Sequence, residues 1–314
     1  MKKILFMLPH QWYVEAYIEY IIRYLGNEYA FDLAIPTEDF YIERDYPEKY
    51  GNPTLCLTKN PDDYDLLISL LASHAHIDYK KNAHKLAQVV WERGEQNQHA
   101  LVHASTTDDT DRALSKSGLK YVSVRMGVDE HLFQPYPLYK EPGVMTVGIV
   151  GRLHSQRKKI KELITPLFDM PGVKFNFYTS QRLQLKDIED IGGKETFKRL
   201  RSGDKKWTGM PNIYNEIDLL VETDTGNSLD FTVLEASACG VPSIAIRHGL
   251  DDLGSIILDN PNKIRESIES LRDNVGYRNG LGLQARFKVV NKYTWNKVIP
   301  SWKQFIDVSL SYAS

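Results

Sequence analysis

The feature that most constrains this chain is an alternation that runs through it twice, in which short β-rich runs are separated by stretches of helical periodicity. The first set opens with KILFML, followed by Ala16 to Leu25, where Ile18, Ile21, Ile22 and Leu25 share one helical face. FDLAIP, YDLLISLL, KLAQVVW and HALVHAS continue it. It closes with TTDDTDRALSKSG, a helix with acidic residues in its first turn and Gly118 just past its end. The second set reads VMTVGIVG, a basic segment, VKFNFYT, NEIDLLVE, the helix inside DFTVLEASACG, and PSIAIR. Continuous apolar runs interleaved with helices predict parallel sheets covered on both faces, because a parallel crossover needs a long return segment and a helix supplies it.

A chain of 314 residues exceeds the size at which one core usually keeps growing. Two sets of elements therefore predict two domains, and the turn-forming stretch RMGVDEHLFQPYPLYKEPG places the boundary near Pro137 to Gly143. Two open parallel sheets facing one another leave a cleft at the carboxyl ends of their strands, where ligands of such folds bind. The formal charge of −2, with no long basic run, argues against a nucleic-acid binder. Two cysteines, Cys56 and Cys239, show neither zinc-site nor disulfide-framework spacing and fit a reducing cytoplasm. MKKILFMLPHQW reads as a buried first strand rather than a signal peptide. The apolar stretch from Leu66 is too short to span a bilayer, which leaves peripheral membrane contact as the only membrane expectation.

Two local patterns bear chemistry. After TVGIVG the chain reads RLHSQRKKIKELI, crowding Arg152, Arg157, Lys158, Lys159 and Lys161 around a helix start. Cations there oppose the helix dipole and repel one another, and an anion would relieve both problems. The segment reads either as a phosphate site, with free backbone N–H groups beside Arg and Lys, or as a solvated basic turn. The second pattern is Glu235, set among small and apolar residues although Glu is seldom buried without a partner. In one reading TVLE is a capping box, Thr232 at the N-cap and Glu235 reaching back to it, with Gly240 and Pro242 ending the helix. In the other the carboxylate accepts hydrogen bonds from ribose hydroxyls.

Four segments together resemble the retaining glycosyltransferases of family four, which have the GT-B fold: NEIDLLVETDTGNSLDFTVLEASACGVPSIA, VGRLHSQRKK, RMGVDEHLFQP and YTWNKVIPSWKQFID. The resemblance implies two Rossmann-like parallel-sheet domains facing a cleft: residues 1–138 as acceptor domain, 139–294 as donor domain, and a C-terminal helix, 295–314, crossing back to the first. It implies transfer of a sugar from a UDP- or GDP-linked donor to a carbohydrate or glycoconjugate hydroxyl with retention, needing neither metal nor covalent cofactor. Arg152 and Lys158 would hold the diphosphate, the amides of Phe231, Thr232 and Val233 would face phosphate, and Glu235 would hold the ribose. WTGMP, with Gly209 and Met210, falls where the family's loop contacts the base.

The resemblance is incomplete. Asn227 stands where the family carries its first glutamate, and Asn accepts and donates hydrogen bonds but supplies no charge. Asp224 and Asp230 are nearby substitutes. PHQWYVEAY replaces the glycine-rich loop after the first strand, and the tyrosine-rich segment EDFYIERDYPEKYG is a candidate acceptor surface. His10, His74 and His76, near carboxyl ends of first-domain strands, are candidate bases. Asp109-Thr-Asp111 spells a metal-binding Asp-x-Asp, but its place in a helix's first turn explains the acids by the dipole. Two alternatives remain open: a catalytically silent nucleotide-sugar-binding protein, and a nucleotide-sugar epimerase of related fold.

Overall fold

A computed structural model of the chain describes residues 1–7, 12–34, 60–70, 78–91, 96–151, 153, 159–179, 189, 193–197, 199–201, 209–224, 231–246 and 253–313. The chain divides into two compact units: Met1–Gly127 with Trp295–Ser314, and Val128–Gly226 with Asp230–Thr294.

In the first unit, β1 (Lys2–Met7), β2 (Tyr29–Ala34), β3 (Leu66–Ser69), β4 (Leu86–Val90), β5 (Val102–Ser105) and β6 (Tyr121–Ser123) form one sheet in the order β2-β1-β3-β4-β5-β6. Every pairing in it is parallel, as the unbroken apolar runs predict. Ile4, Leu66, Leu67, Ile68, Leu86 and Ala87 are fully buried because helices cover this sheet. Helix α1 (Trp12–Leu25) buries Ile18, Ile21 and Leu25, the face expected from their spacing. Helix α2 (Asp108–Lys116) starts at a capping box in which the side chains of Thr107 and Thr110 each accept from the other's backbone N–H. Its acidic first turn is spent on ion pairs: Asp109 with Arg112, and Asp108 and Asp111 with Arg125.

In the second unit, β7 (Met145–Val150), the helical turn α3 (Ile160–Leu163), β8 (Val173–Tyr178), the short α4 (Lys194–Phe197) and β9 (Leu200–Arg201) form one half. The other half is α5 (Met210–Glu216), β10 (Leu219–Glu222), α6 (Phe231–Ala238), β11 (Ser243–Ala245) and β12 (Ile256–Ile257), followed by α7 (Ile264–Asp273) and α8 (Val275–Lys292). The sheet runs β12-β11-β10-β7-β8-β9, all parallel. Numbered within the unit, this is the doubly wound order 3-2-1-4-5-6, which reverses direction between β7 and β10.

Helix α9 (Trp295–Tyr312) carries the chain back into the first unit. There Trp302 donates from Nε1 to the Arg125 carbonyl at 2.9 Å, and the Trp295 ring stacks on Tyr20 with centroids 5.0 Å apart. Gly127 lets the chain pass that ring, since a Cβ at Gly127 would meet it at 2.5 Å.

The division between units falls at Gly127–Val128, upstream of the Pro137 to Gly143 stretch. The reason is in the bonds of the intervening segment. Tyr136 N–H donates to Asn215 Oδ1 at 3.0 Å, Asn215 Nδ2 donates to the Gln134 carbonyl at 3.1 Å, and Lys140 pairs with Asp218 at 3.0 Å. Turn formers are present, but their backbone is tied to α5 and β10.

Candidate functional site at the turning point of the second sheet

In a doubly wound sheet the crevice opens where the strand order reverses, because the helices following the two central strands depart to opposite faces. Here those strands are β7 and β10. Their starts are locked together: Asp218 N–H donates to the Thr146 carbonyl at 2.8 Å, and Thr146 N–H donates to Asp218 Oδ2 at 2.8 Å. The carboxyl end of β7 runs into Gly151, which leaves the strand at a φ of 111, a region that favours glycine.

The carboxyl end of β10 is Glu222, only 2% exposed. One carboxylate oxygen accepts the Asp224 N–H at 2.7 Å, and the other accepts the Thr232 hydroxyl at 3.3 Å. The side chain thus clamps the end of β10 to the first turn of α6. Next to it Thr223 is fully buried, and among the described residues its hydroxyl has no hydrogen-bond partner.

Glu235 lies in the middle of α6 at 3% exposure and accepts a 2.7 Å hydrogen bond from the Tyr214 hydroxyl. Tyr214 is itself fully buried on α5, with its ring tilted against Phe133. The capping-box reading of TVLE does not match this geometry. Helix α6 begins at Phe231, so Thr232 is its second residue rather than its N-cap, and the Thr232 hydroxyl points to Glu222. Behind Glu235, burial pushes the Cys239 thiol well above its ordinary range, with the Glu235 charge adding to the effect and Arg286 opposing it. Such a thiol is no nucleophile. Arg286 donates to the carbonyls of Phe133 and Ala238, closing the C-terminal end of α6, and Gly240 turns the chain away at a φ of 75.

Of the residues expected from the sequence, Phe231, Thr232 and Val233 are the first three of α6. Gly209 precedes α5 and Met210 opens it, so the WTGMP segment leads into the helix that carries Tyr214. Glu235 is therefore joined to α5 by a direct bond. Arg152, Lys158, Asn227 and His10 lie outside the described residues, as do His74, His76, Asp230 and the segment 38–51. Lys159, just past the basic turn, takes a φ of 45, an uncommon conformation for a residue with a side chain.

Reasoning from sequence did not single out three buried polar residues of this corner, Glu222, Thr223 and Tyr214. Glu222 was detectable by the logic applied to Glu235, since it is an acid terminating an otherwise apolar strand, LLVE. Thr223 carried no pattern of its own. Nor did Tyr214, because its pairing with Glu235 spans two helices.

No family model matches the chain, and no curated protein matches it. Solved structures do. A sucrose-phosphate synthase from Thermosynechococcus elongatus covers 100% of both chains with a TM-score of 0.71 and 14% identity. Anabaena Alr3699/HepE in complex with UDP-glucose covers 98% of this chain and 100% of its own, with a TM-score of 0.75 and 13% identity. A glycosyltransferase from Rickettsia africae ESF-5 covers 99% and 98%, with a TM-score of 0.71 and 14% identity. What the chain shares with them is the fold, two parallel-sheet α/β domains of the GT-B kind.

Proposed function

We propose that this chain is a retaining glycosyltransferase that moves a sugar from a UDP- or GDP-linked donor to a hydroxyl of a carbohydrate or glycoconjugate acceptor, without metal or covalent cofactor, in the cytoplasm. The observation that carries the reading is the turning point of the second sheet, where Glu235 is held by Tyr214 inside the helix whose amino end follows β10. The similar Anabaena protein was crystallised with UDP-glucose, and nucleotides bind doubly wound sheets at this point.

In this reading Glu235 accepts the ribose hydroxyls and Tyr214 fixes the orientation of its carboxylate. The first amides of α6, at Phe231, Thr232 and Val233, face the diphosphate together with Arg152 and Lys158. Their task is electrostatic: negative charge grows on the leaving diphosphate, and preformed donors aimed at it lower the barrier without reorganising. Gly209 and Met210 border the base. Asn227 bonds the reacting sugar, and His10 is the candidate base toward the acceptor.

The test is thermal stabilisation by a panel of nucleoside diphosphates and nucleotide sugars, with magnesium and with chelator, followed by assay for transfer and for hydrolysis. A shift by one nucleotide that persists in chelator, with transfer and retained anomeric configuration, is the expected result. No shift with any of them overturns the donor site. Binding without turnover identifies the silent alternative, motivated by Asn227, and isomerised donor identifies the epimerase.

A further inference from the structure

Strand β10 reads Leu219, Leu220, Val221, Glu222: apolar residues and then an acid, all of them buried. An apolar residue in the last place would bury itself without electrostatic cost, whereas a carboxylate taken out of water must recover its lost hydration from donors inside the protein. The bonds of Glu222 are therefore what this position is for, and they reach two separate places. One oxygen accepts the Asp224 N–H at 2.7 Å, just beyond the strand. The other accepts the Thr232 hydroxyl at 3.3 Å, in the first turn of α6. Between the two partners lie residues 225–231 of the chain, so one side chain joins the end of a strand to the start of the helix that follows it.

Helix α6 is held along its length as well. Glu235, about one turn after Thr232, accepts from Tyr214 on α5, and Arg286 donates to the Ala238 carbonyl at the far end. Those ties fix the middle and the C-terminal end of the helix. The bond from Glu222 fixes the turn at which β10 delivers the chain to it.

We propose that Glu222 is a positioning residue of the donor site, setting the first turn of α6, and through it Glu235, against the carboxyl end of β10. The inference rests on the donor site proposed above, in which Phe231, Thr232 and Val233 face the diphosphate and Glu235 the ribose. Glu222 acts there through Thr232. Groups that bind a nucleotide tolerate little displacement, because a hydrogen bond weakens steeply as its geometry departs from the optimum. What the position needs is a pair of bonds rather than a charge. A glutamine supplies the pair, its oxygen accepting the Asp224 N–H and its nitrogen donating to the Thr232 hydroxyl, whereas a leucine of similar size supplies neither.

The test titrates UDP and GDP calorimetrically into the full chain and its variants E222L, E222Q and T232V, well below their melting temperatures. E222L should lose about tenfold or more in affinity for the nucleotide that the wild type binds, and T232V about threefold or more, the worth of a charge-assisted bond and of a weaker one. E222Q should stay within about twofold of the wild type, since both bonds survive. A purely structural role would lower the melting temperature of E222L and leave its affinity unchanged, and that result overturns the proposal. So does an E222Q that loses as much as E222L, because charge rather than geometry would then be at work. Should E222L fail to fold, T232V decides, since it removes a single hydroxyl, and undiminished affinity in T232V then overturns the proposal. A wild type that binds neither nucleotide overturns the donor site and this inference with it, whereas wild-type binding that E222L retains in full overturns this inference alone.

Discussion

Two glycines two residues apart on α8 should respond to the same substitution with opposite signs. At Gly282 an added Cβ would sit 2.1 Å from the Gly240 carbonyl oxygen, 3.0 Å from that carbonyl's carbon and 3.2 Å from Pro242 Cδ. Carbon and oxygen approach comfortably to about 3.3 Å, so α8 would have to retreat by roughly 1 Å from the end of α6. Backbone on one side and ring on the other leave nothing flexible to move. Overpacking of this kind costs about 1–3 kcal/mol, against a gain of roughly 0.5–1 kcal/mol from replacing a helical glycine by alanine. Gly282→Ala should therefore destabilise the second unit by about 1–2 kcal/mol, a fall of roughly 2–8 °C in melting temperature for a unit of this size. Gly280 has nothing within 4 Å of its built Cβ, so Gly280→Ala should gain the helical term alone, about 0.5–1 kcal/mol. Urea unfolding followed by far-ultraviolet circular dichroism reads both. If Gly282→Ala proves neutral or stabilising, the close packing of α8 on α6 is not as described, and with it goes the account of what holds the C-terminal end of the helix carrying Glu235.

Three further expectations follow from the buried polar groups. Tyr214→Phe removes the hydroxyl that Glu235 accepts at 2.7 Å and leaves a buried carboxylate short of a donor, which should cost about 1–3 kcal/mol in thermal unfolding; a change within experimental error would show the bond to be energetically idle. In the proposed donor site, Glu235→Gln keeps the shape but would weaken the bonds to ribose hydroxyls, so calorimetric affinity for the stabilising nucleoside diphosphate should fall about tenfold or more, while a deoxyribose analogue binds wild type and variant alike; equal losses for both ligands would remove Glu235 from the ribose. His103 is fully buried on β5, its ring nitrogens 3.2 and 3.1 Å from the Lys120 and Asn97 carbonyls, and burial outweighs those bonds to lower its pKa. The unfolded chain then binds a proton that the folded chain resists, so this contribution is whole above about pH 6.5 and shrinks as pH falls below it. Melting temperature against pH should show that acid-side decline, and His103→Gln should flatten it; an unchanged slope would refute the assignment.

Much of the fold was legible because it rests on local chemistry. The run from Ile4 to Met7 could only be a covered strand, and it is buried along that length. The acids of α2 belonged to a helix start, and its cap is a threonine pair. What misled was the same local reasoning where a distant group competes. TVLE satisfies the capping-box pattern, but the Thr232 hydroxyl is drawn to Glu222, ten residues earlier in sequence, and the Glu235 carboxylate to Tyr214, twenty-one residues earlier. The stretch Pro137 to Gly143 has linker composition, yet the chain just before and within it is bonded to Asn215 and Asp218.

By itself, then, the sequence determined the parallel α/β class, the pairing of two such units and the oddity of Glu235, since each follows from periodicity and from the cost of burying charge among apolar neighbours. Only the tertiary structure decided the order β12-β11-β10-β7-β8-β9, and hence that Glu222 ends a strand beside the sheet's turning point. It also decided that Tyr214 faces Glu235. Strand order and helix facing are set by which elements bury one another, a competition among the whole chain's apolar surfaces that no window of sequence contains.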